Sequence, residues 1–402
     1  MNPRIYLLAL GTFALGTDLF VIAGVLPAIA HEHAVSVDTA GLLITVFSLM
    51  YGFCAPVLAA FTNRIPRQAL LMIVLAGFSL ANVLSALAPT FLILMITRLI
   101  AACFAALYTP TAAVVASSLT SPQRRGQALA IVLGGLTTAT ILGVPIGTWL
   151  GQHLGWQATF LFVAGLGFLA FLALLAFRLP HIANPPVLSL KARLAPLLKP
   201  ELLLAMAPIA FWALGGFITY TYIAPFLSYY THITDPSSML FVYGAGGVLG
   251  SWLGGYLVDH FGATRPIVFS LILLIIVYAT LPLTATTLIG AIIALAIWGI
   301  CGNVLFAPQQ HRLLSLSPTL PTIMLALNSA ALYLGIAAGS AIGSVVLMHS
   351  SVDALAPTSA VLTTVSLTFF AWSVWVSSRQ TSQKIADQTI TDNRVSSDST
   401  AN

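Results

Sequence analysis

Two side chains in this 402-residue sequence could carry charge chemistry away from water, Asp18 and Arg98. Each stands inside an apolar run, and apart from histidine no other ionisable group lies deep within such a run. A charge at the centre of a membrane helix costs at least about 2.5–3.5 kcal/mol on insertion scales, so such residues face the bundle interior. One reading is a permanent structural ion pair. The other is a carboxylate whose proton affinity changes with its distance from the guanidinium, so that Asp18 takes a proton in one conformation and releases it in another. Intramembrane acids mark proton pathways, which favours the second.

A second set of residues could hold an organic molecule. Tyr51, Tyr108, Trp212, Tyr220, Tyr222, Trp298, Asn303, Asn328 and Tyr333 lie in apolar stretches, with Asn328 the best single candidate because its helix is otherwise so apolar. Apolar walls, aromatic rings and few polar anchors suit a small neutral or cationic compound. Each ring taken alone is more often packing or lipid contact, since Trp and Tyr also favour membrane interfaces. Cys54, Cys103 and Cys301 have no paired spacing and read as small buried apolar residues, with neither a disulfide framework nor a metal site. The eight histidines fall near the ends of the apolar runs. No metal-binding spacing, phosphate loop or nucleophile motif stands out, so a membrane enzyme or receptor is disfavoured and no cofactor is expected.

Composition dictates the elements that must position these groups. The chain is 59% apolar and only 6% charged, with 15 Lys and Arg against 10 Asp and Glu. A soluble domain carries roughly 25% charged residues, so a soluble enzyme, a nucleic-acid binder and a secreted disulfide scaffold are all excluded. Crossing the bilayer takes about 20 apolar residues. Twelve such runs are expected, at 5–29, 40–61, 68–88, 90–117, 126–150, 157–177, 201–229, 237–258, 266–284, 286–310, 322–348 and 352–376. Backbone satisfaction in lipid makes them helices. The first run resembles a cleavable signal, but it is long, carries Asp18 and precedes eleven more, so it is read as a membrane helix. With the N-terminus inside, 14 of the 15 basic residues fall in cytoplasmic segments, which puts both termini in the cytoplasm.

The organisation is two-fold. A Pro-rich, basic linker at 179–200 separates a six-helix bundle at 1–178 from another at 201–377, and a polar tail at 378–402 reads as disordered. Asn63 and Asp259, in corresponding loops, are 196 positions apart; Gly143 and Gly335, which begin glycine triplets in spans 5 and 11, are 192 apart. Nearly equal offsets argue for parallel repeats with a binding site near the midplane between them. The triplets Gly143-Gly147-Gly151 and Gly335-Gly339-Gly343, with a third at Gly246-Gly250-Gly254, leave smooth faces. These are either static helix contacts or surfaces on which the bundles rock, and the repeat favours rocking.

With these residues in view, the chain resembles the major facilitator superfamily, in its twelve-span drug:proton antiporter branch. Gly134 followed by Gly143-Val-Pro145-Ile-Gly147 is similar to that branch's antiporter motif, and Gly155-Trp156-Gln-Ala-Thr-Phe160 continues the likeness. Arg98 with Ala102 and Ala106, and Thr17-Asp18 with Leu26-Pro27, resemble the branch's fourth and first helices. Tyr220-Thr-Tyr222-Ile-Ala-Pro225 and Asn328-Ser-Ala-Ala-Leu-Tyr333 are similar to the arabinose, purine and chloramphenicol exporters.

The resemblance implies an all-α membrane protein of two pseudo-symmetric bundles. It implies a monomer in the inner membrane of a bacterium, exporting small drug-like molecules in exchange for protons; a sugar or purine exporter is the alternative. It also implies gating residues: Gly143, Pro145 and Gly147 in span 5, and Asn63, Arg64 and Arg67 after span 2, with Asp259 and Gly262 in the second copy of that loop. The first copy departs from the family, with Ala59, Asn63 and Pro66 where Gly, Asp and Gly are usual, so Asn63 can hydrogen-bond but not ion-pair. The second copy keeps Gly255, Asp259 and Gly262, and the stronger latch is expected there.

Overall fold

A computed structural model describes residues 2–121, 124–177, 199–317 and 321–400. All regular structure among them is helical, and twelve helices are long and apolar enough to cross a membrane. In chain order they are α1 (Arg4–Glu32), α2 (Val37–Phe61), α3 (Arg67–Ala86), α4 (Phe91–Ser118), α5 (Arg125–Leu154), α6 (Trp156–Ala176), α7 (Pro200–Tyr220), α8 (Ser237–Phe261), α9 (Thr264–Thr284), α10 (Leu288–Leu316), α11 (Pro321–His349) and α12 (Leu355–Thr400). Apart from the C-terminal extension of α12, each lies within a few residues of an expected run. A short helix, Ile223–Thr231, follows α7, which is where the expected seventh run divides.

Local chemistry sets the boundaries. Ser36, Thr90 and Thr287 cap α2, α4 and α10 by accepting from the backbone N–H three residues on, at 3.4, 3.4 and 3.1 Å. Gly155, at φ +92°, joins α5 to α6 with a single residue, a conformation a side chain would strain. Gly262 ends α8 at φ +72° in the same way. Inside α5, residues Ala139–Gly143 form a π turn, a feature the hydropathy pattern does not announce.

An even number of crossings puts the 33–36 and 155 turns at the end of the bundle away from the chain termini, the distal end. Helices α1–α6 form one half and α7–α12 the other, with α1 at the centre of the first, packed on α2, α4, α5 and α6. The halves meet where α2 lies along α11 and where α5 lies against α8.

The glycine triplets do not lie at that seam. A Cβ at Gly143, Gly147 or Gly151 would meet Thr17, Val21 or Val25 of α1; at Gly246, Gly250 or Gly254 it would meet backbone of α10; and at Gly335, Gly339 or Gly343, backbone of α7. Each face therefore packs a helix onto its own half, which is the static reading rather than the rocking one. The glycines that touch the other half are Gly41 against Tyr222, Gly52 against Leu334 and Gly244 against the π turn at Thr140 and Ile141.

Residues 179–198 of the expected linker lie outside the described residues, while α7 begins at Pro200, a residue suited to a first helical turn. The backbone of α12 continues as helix to Thr400, across the stretch expected to be disordered. No Gly or Pro after Pro357 stops it.

Candidate functional site

The central helix α1 carries Asp18, and α4 brings Arg98 to it. Arg98 Nη1 donates to Asp18 Oδ1 at 2.6 Å and Nη2 to the Asp18 backbone carbonyl at 3.5 Å. Both side chains are fully buried. The guanidinium carbon lies 4.4 Å from the centre of the Phe47 ring and 5.5 Å from that of Phe160, so two aromatic faces flank the cation. The pair leaves Asp18 Oδ2 and Arg98 Nε without hydrogen-bond partners. A carboxylate with one bare oxygen in an apolar bundle depends on its guanidinium, because a lone buried charge is far costlier than a paired one. The two charges that stand out in the sequence thus meet in one contact.

The π turn stands beside this pair. Thr17, next to Asp18, fills the space over Gly143 at the end of the turn, and the turn's Thr140 carbonyl meets Gly244 of the opposite half.

The aromatic candidates separate into distinct places. Tyr51 of α2 and Tyr333 of α11 stack across the seam with centroids 3.6 Å apart. Tyr220 and Trp298 belong to a ring cluster with Phe217, Tyr243 and Tyr278, which Phe20 joins from the first half at 5.9 Å from Tyr220. Phe20 follows Asp18 by two residues, so the charged site and the ring cluster share one turn of α1.

Tyr222 closes the distal end: its hydroxyl lies 3.3 Å from the Asp38 carbonyl and 3.2 Å from the Ser340 carbonyl, and Ser340 Oγ donates to the Gly41 carbonyl at 3.0 Å. Asn328 is buried with Oδ1 unpartnered. Trp212 packs edge-on against Phe306, its Nε1 unpartnered beside a very small void also lined by Gln309 and Ser366.

Like Trp212, two further candidates pack within one half. Tyr108 is wholly buried inside the first half, over Gly11, with its hydroxyl donating to the Leu8 carbonyl at 3.1 Å. Asn303 Nδ2 donates to the Gly299 carbonyl of its own helix at 3.0 Å and packs under Gly247 of α8. Both are packing residues, because a long side chain opposite a glycine fills the space the glycine leaves. Sequence reading also misses Phe20, Phe47, Phe160, Tyr243 and Tyr278. Only their spacing from Asp18 or from the tyrosines could have signalled them.

At the proximal end Gln309 and Arg312 are buried, Gln309 Nε2 donating to the Ala205 carbonyl at 2.8 Å and Arg312 Nη2 to Ser373 Oγ at 2.7 Å. Arg312 lies over the Phe370 ring, which shelters its planar head. Among the loop candidates, Arg64 and Asp259 are exposed, Arg67 is buried, and the Asn63 side chain lies outside the described residues. Pro145 borders a cleft of about 280 Å³ between α5 and α8, with Ile146, Trp149 and Phe241.

Comparison with known proteins agrees with this architecture. The Major Facilitator Superfamily profile matches residues 8–339. The inner membrane transport protein YdhP of Escherichia coli K12 is 34% identical over 349 residues, covering 86% of this chain and 89% of that protein. The uncharacterized MFS-type transporter YbcL of Bacillus subtilis is 31% identical over 354 residues, with 88% and 90% covered. A chloramphenicol resistance protein of Streptomyces lividans is 32% identical over 359 residues, with 87% and 91% covered. Among solved structures, a bacterial homologue of the human lysosomal transporter Spinster, inward-facing and occupied, superposes with a TM-score of 0.70 at 19% identity, covering 92% of this chain and 96% of that one. That likeness concerns the fold.

Proposed function

Because the chain belongs to the Major Facilitator Superfamily, a family of transporters rather than enzymes, we propose that it exports small drug-like organic molecules across a bacterial inner membrane in exchange for protons. The observation that carries this reading is the buried Asp18–Arg98 pair, two residues along α1 from Phe20 of a ring cluster to which both halves contribute. The chloramphenicol resistance relative supports drug export and the exporter-like subgroup, and the apolar, aromatic surroundings favour a neutral or cationic drug over a sugar. A purine-like metabolite is the second reading, since flat heterocycles stack on the same rings.

The charge bias of the loops supports cytoplasmic termini. On that orientation the distal end faces outward, and the Tyr222–Asp38–Ser340–Gly41 contacts hold it shut. Asp18 keeps its negative charge while Arg98 neutralises it. A conformation that draws the guanidinium away leaves the carboxyl in an apolar bundle, where it must be neutral and therefore takes a proton. Facing outward it loads the proton; returning inward it meets Arg98 again and releases it. Each proton contributes about 2.3 kcal/mol per 100 mV of membrane potential, which drives one substrate uphill. The substrate site is proposed between Tyr220, Trp298, Tyr51, Tyr333 and Asn328. The exposed loop residues Arg64 and Asp259 are proposed to latch the proximal end in the opposite state, and the chain is proposed to act as a monomer.

Everted vesicles loaded with protons by respiration test the reading. Adding a chloramphenicol-class or cationic dye substrate should release protons from wild-type vesicles and not from Asp18→Asn vesicles. Equal release by the two would remove Asp18 as the coupling group.

A further inference from the structure

The third cysteine, Cys301, stands alone, but Cys54 of α2 and Cys103 of α4 face each other with their sulfurs 3.5 Å apart. They are 49 positions apart in sequence, which is why no spacing rule pairs them. Both are half-buried, and the side chains around them, Phe53, Val57 and Ile100, are among the exposed apolar residues of the bundle. The dithiol is therefore reachable from the lipid side, by apolar molecules. Cys54 follows Tyr51 and Gly52, the α2 residues that meet α11 of the other half, by three and two positions.

Two thiols at this separation present a fixed bite. Bonds from sulfur to a soft centre of about 2.3 Å span 3.5 Å when they meet at about 100°. That is a pyramidal, three-coordinate geometry in which two positions are sulfur and the third is supplied by the ligand itself. A structural zinc ion would need four protein ligands, and no group of three or more Cys, His, Asp or Glu that could hold a metal exists among the described residues. The number of donors and the apolar approach both select a neutral, lipid-soluble compound of a soft trivalent element.

We infer that Cys54 and Cys103 form a covalent binding site for trivalent organoarsenicals and their close chemical kin. For an arsine oxide, R–As=O, both S–H bonds break and two As–S bonds form; the oxygen leaves as water with the two thiol protons. No electron is transferred and no further reactant is needed. The second As–S bond forms within the protein, at high effective concentration, so the cyclic adduct resists competing monothiols in a way that an adduct on one cysteine does not.

Phenylarsine oxide is the probe, with intact-mass measurement on the purified, detergent-solubilised full chain. Wild type and Cys301→Ser should each gain one phenylarsenic group less two hydrogens. The adduct should survive excess glutathione and reverse with a 1,2-dithiol. Cys54→Ser and Cys103→Ser should each lose the glutathione-resistant adduct. A second readout uses wild type alone: phenylarsine oxide treatment should abolish maleimide labelling of the half-buried Cys54 and Cys103. Retention of the resistant adduct by either single variant overturns the assignment, as does maleimide labelling of Cys54 and Cys103 after treatment. A wild-type mass two hydrogens light before treatment, meaning an existing disulfide, also overturns it.

Discussion

Asp18 and Arg98 are joined energetically as well as geometrically. Removing one partner of a buried pair leaves the other charge uncompensated and costs about 3–5 kcal/mol, whereas removing both charges together costs far less. Arg98→Leu should therefore lower the thermal denaturation midpoint of the purified protein clearly, and adding Asp18→Asn should restore most of the loss while transport stays absent. If the double variant is less stable than Arg98→Leu, the pair does not carry the coupling energy assigned to it. This contact was legible in the sequence, because two rare charges sat about 15 and 12 Å from the same end of their helices at 1.5 Å per residue. Arg312 was not legible. Its place near the end of a run reads as interfacial, and only the meeting of α10 with α12 shows that Ser373 and Phe370 bury it.

Among the elements, hydropathy located every spanning helix but gave no partner for any of its faces. A glycine triplet signals a close approach, yet Gly143, Gly147 and Gly151 fit equally well against a neighbour in either half until the fold puts Thr17, Val21 and Val25 there. The seam instead rests on single glycines without a repeat, Gly41, Gly52 and Gly244, and a lone glycine carries no periodic signal. The π turn is equally silent, since adding one residue to a helical turn changes no residue type. These differences separate two substitutions. Gly41→Val would drive a side chain into Tyr222 and part the halves at the distal end, so a cysteine placed at Ser344 should react faster with an impermeant maleimide added outside. Gly143→Val would press on Thr17 within one half, lowering thermal stability without that gain in reactivity. Equal labelling rates in the two backgrounds would contradict this division.

Across the whole molecule, the buried ion pair and the ring cluster are divided between the halves. The buried acid and its guanidinium belong to α1 and α4, while most of the ring cluster belongs to α7, α8, α9 and α10, with Phe20 as the member from the first half. Neutralising Asp18 should then change how the halves sit on each other. Spin labels at Phe61 and Leu316, at the proximal ends of α2 and α10, should move closer in Asp18→Asn than in wild type. Labels at Leu154 and Leu288, at the distal ends of α5 and α10, should move apart in the same variant. Double electron–electron resonance reads both distances, and changes of the same sign in the two pairs would exclude a rocking exchange.

The distal closure is built from a phenol, a serine hydroxyl and backbone carbonyls, with no ion pair in it. Forces between neutral dipoles are short-ranged and are barely screened by dissolved ions, whereas exposed charge pairs weaken within a Debye length of about 8 Å at physiological ionic strength. A seal of this kind holds equally well in dilute and in saline surroundings. A cell in fresh water and one in brine would then find the same door equally tight, and the timing of its opening would fall to the sheltered charges at the centre of the first half.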